Sequence, residues 1–240
     1  MGLLYALCLS SHVGAGDDNQ YLLLGQALAT GQGYRVIAFP DAPVEKTIPP
    51  GYPMVLAPVL FAMGDVERSI IPLRVLTIIL AVGFVWAALK WLQPRIAAGS
   101  TLFIALLIAV SPYVVEAAGL ITADIGYAFV SLLGLLVLDR RLLNDDAKPR
   151  RMTGLALAVV MCAAAYLVRT VGIALLLATL ASLALRRQYR SAGLVGLGFL
   201  VLALPWNVWI LAEGGETYLH QLWLKDVDFP AFGRAGGPDI

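Results

Sequence analysis

Charge is what this sequence has least of. Only 14% of its 240 residues are Asp, Glu, Lys or Arg, against about 25% in a soluble domain. With 60% hydrophobic residues and a mean hydropathy of +0.81, the composition excludes an ordinary soluble domain and implies an integral membrane protein. Neither sign dominates: 17 basic and 16 acidic residues leave a net charge of +1. There is no whole-molecule field to gather nucleic acid and no basic nucleic-acid motif, so nucleic acid is not an expected partner. Cysteine is nearly missing. The two present, Cys8 and Cys162, lie in apolar runs and read as small core hydrophobes, not as a disulfide or metal pair. The two histidines, His12 and His220, are isolated and show no metal-ligand spacing. No repeat or low-complexity tract is apparent.

What the chain has instead is a series of apolar blocks. A span needs about 20 apolar residues at about 1.5 Å rise each. The expected architecture is all-α, a polytopic transmembrane helical bundle forming one domain over residues 1–240. Its spans are placed at 70–92, 99–115, 119–138, 153–168, 170–186 and 191–211, with a short first one at 2–14. Ten of the 17 basic residues gather in three connections: Lys90 and Arg95; Arg140, Arg141, Lys148, Arg150 and Arg151; and Arg186, Arg187 and Arg190. The positive-inside rule makes these the cytoplasmic loops. The 15–69 segment, the 112–122 bend, the Arg169-Thr170 turn and the tail after 212 then lie outside. Residues 153–186 would make one helix about 50 Å long, against a hydrocarbon core of about 30 Å. Both flanks are basic, so the block is expected to be a hairpin turning at Arg169. The first span is too short for a full crossing and lacks the basic start of a signal peptide. With the abrupt far end, it suggests the N-terminal part of a longer protein.

The outer 15–69 segment is patterned. Asp17-Asp18 opens a run in which Tyr21, Leu22, Leu24, Ala27 and Leu28 recur at helical spacing, a short interfacial helix ended by Gly31 and Gly33. Residues 53–63 are apolar but too short to span, and Pro53 and Pro58 argue against a straight crossing; a second interfacial helix is expected. Between them Glu45-Lys46 precede Pro49-Pro50-Gly51-Tyr52-Pro53, where paired prolines hold the chain extended. An acidic pair beside a membrane helix is costly near hydrocarbon. It serves either as a helix cap or as a general base.

Asp-Asp, the Tyr-Leu-Leu-Leu-Gly-Gln-Ala-Leu-Ala run and Thr-Ile-Pro-Pro-Gly-Tyr-Pro resemble the GT-C glycosyltransferases of the protein O-mannosyltransferase and aminoarabinose lipid A transferase type. Arg74, Ser111-Pro112, Thr122-Ala-Asp124, Arg169-Thr-Val-Gly172 and Pro205-Trp206-Asn207 extend the resemblance in order along nearly the whole chain. It implies an inverting hexosyl or pentosyl (mannosyl-like) transferase in a bacterial or archaeal cell (inner) membrane, acting on the extracytoplasmic face. A polyprenyl-phosphate-linked sugar would be the donor, and a protein, lipid or glycan the acceptor, in contact with membrane lipids. The resemblance makes Asp17 the catalytic carboxylate, with Asp18 and Asp124 organising the site. Glu116 ranks below Asp124. Glu45, Lys46, Arg74, Arg169 and Tyr52 would form the substrate and lipid-phosphate-binding group. Snorkelling of Arg169 to headgroups is an equal alternative, and helix capping is the alternative for Asp124. No cofactor is expected, although carboxylates can bind hard cations and a divalent metal stays open. A transporter or flippase for a lipid-linked or anionic substrate is the first rival. A non-catalytic membrane fragment or assembly factor is the second.

Overall fold

A computed structural model describes residues 17–142 and 151–213; the short first span expected at 2–14 lies outside them. Among the described residues the chain is all-α: α1 (Asp17–Ala29), α2 (Gly51–Met63), α3 (Val66–Leu92), α4 (Ala98–Val110), α5 (Pro112–Gly119), α6 (Ala123–Val137), α7 (Arg151–Val168), α8 (Ile173–Leu185) and α9 (Tyr189–Ala212). A π-helical turn, Leu138–Leu142, ends α6, and a 3-10 turn, Thr170–Gly172, joins α7 to α8. The extended pairing described is a single antiparallel bridge, Arg35 with Val44. By length and composition α3 and α9 are each long and apolar enough to cross a membrane, and α4 with α5 makes a third candidate as a bent pair.

The outer loop forms the two expected short helices. α1 ends as glycine dictates: Gly31 has φ +72°, Gln32 N donates to Ala27 O at 2.9 Å and Gly31 N to Leu28 O at 3.2 Å, a Schellman closure. α2 has Pro53 in its first turn, where a missing N–H costs nothing, and stops at Gly64 with φ +68°. Asp65 then starts α3 by accepting from Glu67 N at 3.3 Å, so this helix begins four residues before the expected span.

The hairpin within 153–186 is present. Arg169 is extended (φ −149°, ψ 133°) and stops α7. The chain reverses so tightly that a Cβ on Gly172 would lie 2.2 Å from the Ala165 carbonyl carbon. The expected helices at 99–115 and 119–138 need correction. Pro112 cannot continue the helix of α4, so the break falls at Ser111 with a bend of 51°. Pro112 instead opens α5, which runs to Gly119, and extended Leu120 and Thr122 delay α6 until Ala123. Proline tolerates a first helical turn but not a helix interior.

Helices in lipid gain nothing by hiding apolar surface from water, so close contact at small residues holds them. A Cβ on Gly83 would meet the Phe129 ring at 2.9 Å, and one on Gly198 would meet Val159 at 2.8 Å. These contacts tie α3 to α6 and α9 to α7. One end of the bundle gathers basic connections. Arg95 bridges Asp139 at 2.9 Å, Arg140 Nη2 donates to Lys90 O at 3.0 Å, and the Arg95 guanidinium lies 4.2 Å from the Trp91 ring centroid. The opposite end carries the outer loop and the Arg169 turn.

Candidate functional site

The site is assembled where the start of α2 meets the end of α7. A Cβ on Gly51 would fall 2.6 Å from the carbonyl carbon and oxygen of Leu167 and 2.8 Å from Val168 N. Only glycine allows this backbone-on-backbone approach. It brings Tyr52, the next residue, inside the bundle, where it is 2% exposed. The Tyr52 ring meets Tyr21 of α1 edge-on, with centroids 5.1 Å apart. It also lies 3.6 Å from the Cβ position of Gly126 on α6, and its hydroxyl is 3.5 Å from Thr77 Oγ1 on α3. Arg74, one turn before Thr77, is also buried. Burial pushes the Tyr52 phenol above its ordinary value; the Thr77 contact opposes the rise, and the negative charge of nearby Asp18 adds to it.

Asp17 and Asp18 open α1 as described. Asp18 is buried; the Asp17 side chain lies outside the described set. Tyr21, Leu22, Tyr52, Leu73, Ile121, Ala123 and Val168 share one core cluster. That cluster places α1, α2, α3, the start of α6 and the end of α7 around one point. Immediately beside it Arg169 forms an ion pair with Asp124, both partly exposed. The structure therefore joins Asp18 with Tyr52, and Asp124 with Arg169, about a common cluster. Arg74 is buried on α3, one residue after Leu73 of that cluster.

Glu45 and Lys46 are engaged differently. Glu45 Oε1 accepts from Thr47 N at 2.7 Å, from Ile48 N at 3.1 Å and from the Thr47 hydroxyl, so this carboxylate folds its own loop. The Lys46 ammonium donates to Glu213 O, at the end of α9. Glu116, on α5, is exposed. Among the described residues no three of the types that ligate metals come together.

Sequence reasoning missed three features. Tyr34 has no local signal, yet it fastens the loop to α9. Its ring sits 5.5 Å from Trp206 and 6.0 Å from Trp209, and its hydroxyl donates to Ile48 O at 2.9 Å or Pro49 O at 3.2 Å. Burial, then the charges of Glu45 and Tyr21, lift its phenol above the ordinary value. Within the Pro205-Trp206-Asn207 word, Asn207 Oδ1 accepts from Tyr166 OH at 2.9 Å, locking α9 to α7 beside the Arg169 turn. Third, the Thr122 hydroxyl is buried and makes no hydrogen bond, although it stands at the cap of α6 where a bond to the first turn is usual.

No family model and no curated protein matches this sequence. Among solved structures, the chain is similar to ArnT from Cupriavidus metallidurans in the apo state, with 18% sequence identity and a TM-score of 0.67. The match covers 99% of this chain but 43% of the ArnT chain, so this chain spans under half the length of the protein it resembles. That likeness supports a GT-C-like helical membrane fold for this chain.

Proposed function

We propose that this chain carries the donor-side machinery of a GT-C glycosyltransferase. It would move a sugar from a polyprenyl-phosphate donor to an acceptor hydroxyl on the extracytoplasmic face of the membrane. The observation that carries the reading is the packing of Tyr52 with the start of α6 and the end of α7, beside Asp18 and the Asp124–Arg169 pair, at the end opposite the Arg95–Asp139 and Arg140–Lys90 contacts. By the positive-inside rule, that opposite end is extracytoplasmic. The resemblance in sequence and the GT-C-like fold support the same reading.

In this mechanism the acceptor oxygen attacks the anomeric carbon while the bond from that carbon to the phosphate oxygen breaks. The electron pair leaves with the phosphate, the acceptor proton passes to Asp17, and configuration inverts in the single displacement. Asp18, beside Tyr52, fixes the acidic pair. Asp124 holds the Arg169 guanidinium at the end of α7, and Arg169 and Arg74 meet the charge developing on the phosphate. Lys46 reaches the same phosphate only by exchanging its bond to Glu213 O.

The test is transfer of labelled sugar from a polyprenyl-phosphate donor in membranes containing the full-length protein. Asp17→Asn should lower transfer by about 100-fold or more, the usual loss of a general base. Undiminished transfer by a folded Asp17→Asn protein would sink the role of Asp17. Label that never leaves the lipid with the wild type would sink the transferase reading itself.

A further inference from the structure

Resting on that proposed function, we infer that the N-terminus of α6 is an anion subsite for the phosphate of the polyprenyl donor, with Thr122 donating a hydrogen bond to it. α6 is 15 residues long, enough to present first-turn N–H groups and the positive end of a helix dipole. No side chain caps it. The residue at its cap position, Thr122, is 8% exposed, and its hydroxyl makes no hydrogen bond to any protein group. A buried hydroxyl in that condition has given up water with nothing in exchange, which stable folds rarely tolerate without a reason. The Thr122 backbone is extended (φ −111°, ψ 157°), the geometry of a capping residue, so the hydroxyl sits at the helix terminus itself.

The surroundings complete an anion site. Ile121 and Ala123, which flank Thr122, pack in the same cluster as Tyr21, Tyr52 and Val168, so the terminus lies beside α1 and the residue that precedes the Arg169 turn. Arg169 supplies the cation. It is held by Asp124, in the first turn of α6, and the pair is part-exposed and cheap to rearrange. A guanidinium has five donors in a fork. It can keep Asp124 on one edge and meet a phosphate oxygen with another. The phosphate would then receive the Thr122 hydroxyl, first-turn N–H groups of α6 and one edge of Arg169. Without ligand, the Arg169–Asp124 pair keeps the site neutral.

The test measures binding of polyprenyl phosphate, of the uncharged polyprenol of the same length and of inorganic phosphate to the full-length protein in nanodiscs. Wild type should prefer polyprenyl phosphate over polyprenol. Thr122→Val, which keeps the shape and removes the donor, should weaken polyprenyl phosphate about tenfold, the ratio carried by a hydrogen bond to a charged group. Polyprenol binding should not change, and Thr122→Ser should restore the phosphate preference. Loss of an unsatisfied buried hydroxyl should also leave the ligand-free Thr122→Val protein at least as heat-stable as wild type. Thr122→Ala serves if the valine variant does not fold. Equal affinity of Thr122→Val and wild type for polyprenyl phosphate would overturn the subsite while leaving the transferase reading intact. So would an equal loss for polyprenol, which marks a packing defect, or saturation by inorganic phosphate at the same concentration. Wild type that binds both lipids alike would overturn the polyprenyl-phosphate reading along with the subsite.

Discussion

Replacing Gly51 by alanine adds one methyl group at the junction between α2 and α7. The three atoms it meets are backbone: Leu167 C and O at 2.6 Å and Val168 N at 2.8 Å. No side-chain rotation relieves them. To reach ordinary contact at 3.4 Å, α2 must withdraw by about 0.8 Å, a displacement of the kind that costs about 1–3 kcal/mol in a packed interior. Taking about 2 kcal/mol, the thermal midpoint of a chain this size should fall by about 4–8 °C. Tyr52 moves with α2, so sugar transfer should fall further than stability at a temperature where the variant is still folded. Gly99→Ala is the matched control: a Cβ there meets nothing within 4 Å. In the first turns of α4 it should be neutral or stabilise by up to about 1 kcal/mol. Melting curves of the two variants in one detergent, with transfer assayed in parallel, decide the matter. If Gly51→Ala melts within a degree or so of Gly99→Ala and transfers at the wild-type rate, the close approach of α2 to α7 does not position the site.

Two further outcomes follow from the electrostatics. A double-mutant cycle with Asp124→Asn and Arg169→Gln, read by thermal unfolding, should give a coupling below about 1 kcal/mol, because both side chains are part-exposed and screened; a coupling of several kcal/mol would mean the pair is a structural clamp. Tyr34 and Tyr52 keep their protons above the ordinary tyrosine value of 10.0, whereas the unfolded chain does not. Their contribution is therefore full below about pH 10 and falls by up to about 1.4 kcal/mol per pH unit per tyrosine as pH rises towards their folded values. Unfolding followed from pH 8 to pH 11 should show that decline and a shallower one in Tyr34→Phe; stability flat across the range would contradict the burial of both phenols.

The helical bundle was legible because its causes are local. Basic residues at Arg140, Arg151, Arg186 and Arg190 forced an even number of crossings between them, and Arg169 was the one charge that could sit at the turn. Gly31 and Gly64, with positive φ, ended their helices as their residue type requires. The 112–122 bend was legible, but the span bounds at 115 and 119 overran it because hydropathy runs smoothly across the break. Pro112 decides the position sterically, and the extended stretch before Ala123 has no compositional mark. The sequence offered the candidate site only as a list of residues, with no arrangement. Nothing near Glu45 indicates that its carboxylate would turn onto Thr47 and Ile48, while its neighbour Lys46 crosses to α9. The Asp124–Arg169 pairing and the orphaned Thr122 hydroxyl are likewise tertiary facts.

The bond from Lys46 to Glu213 O spans 167 residues, and the ring contacts of Tyr34 with Trp206 and Trp209 reach slightly farther along the chain. During synthesis, the loop between α1 and α2 emerges roughly ten to thirty seconds before the end of α9 at ~5–20 residues per second. It waits through that interval without the aromatic seat that later fixes it. Closure of this loop therefore waits until α9 has been inserted in the correct register. The segment leading into Tyr52 thus acts as a checkpoint on insertion of α9, and a chain with α9 out of place would leave the site unassembled.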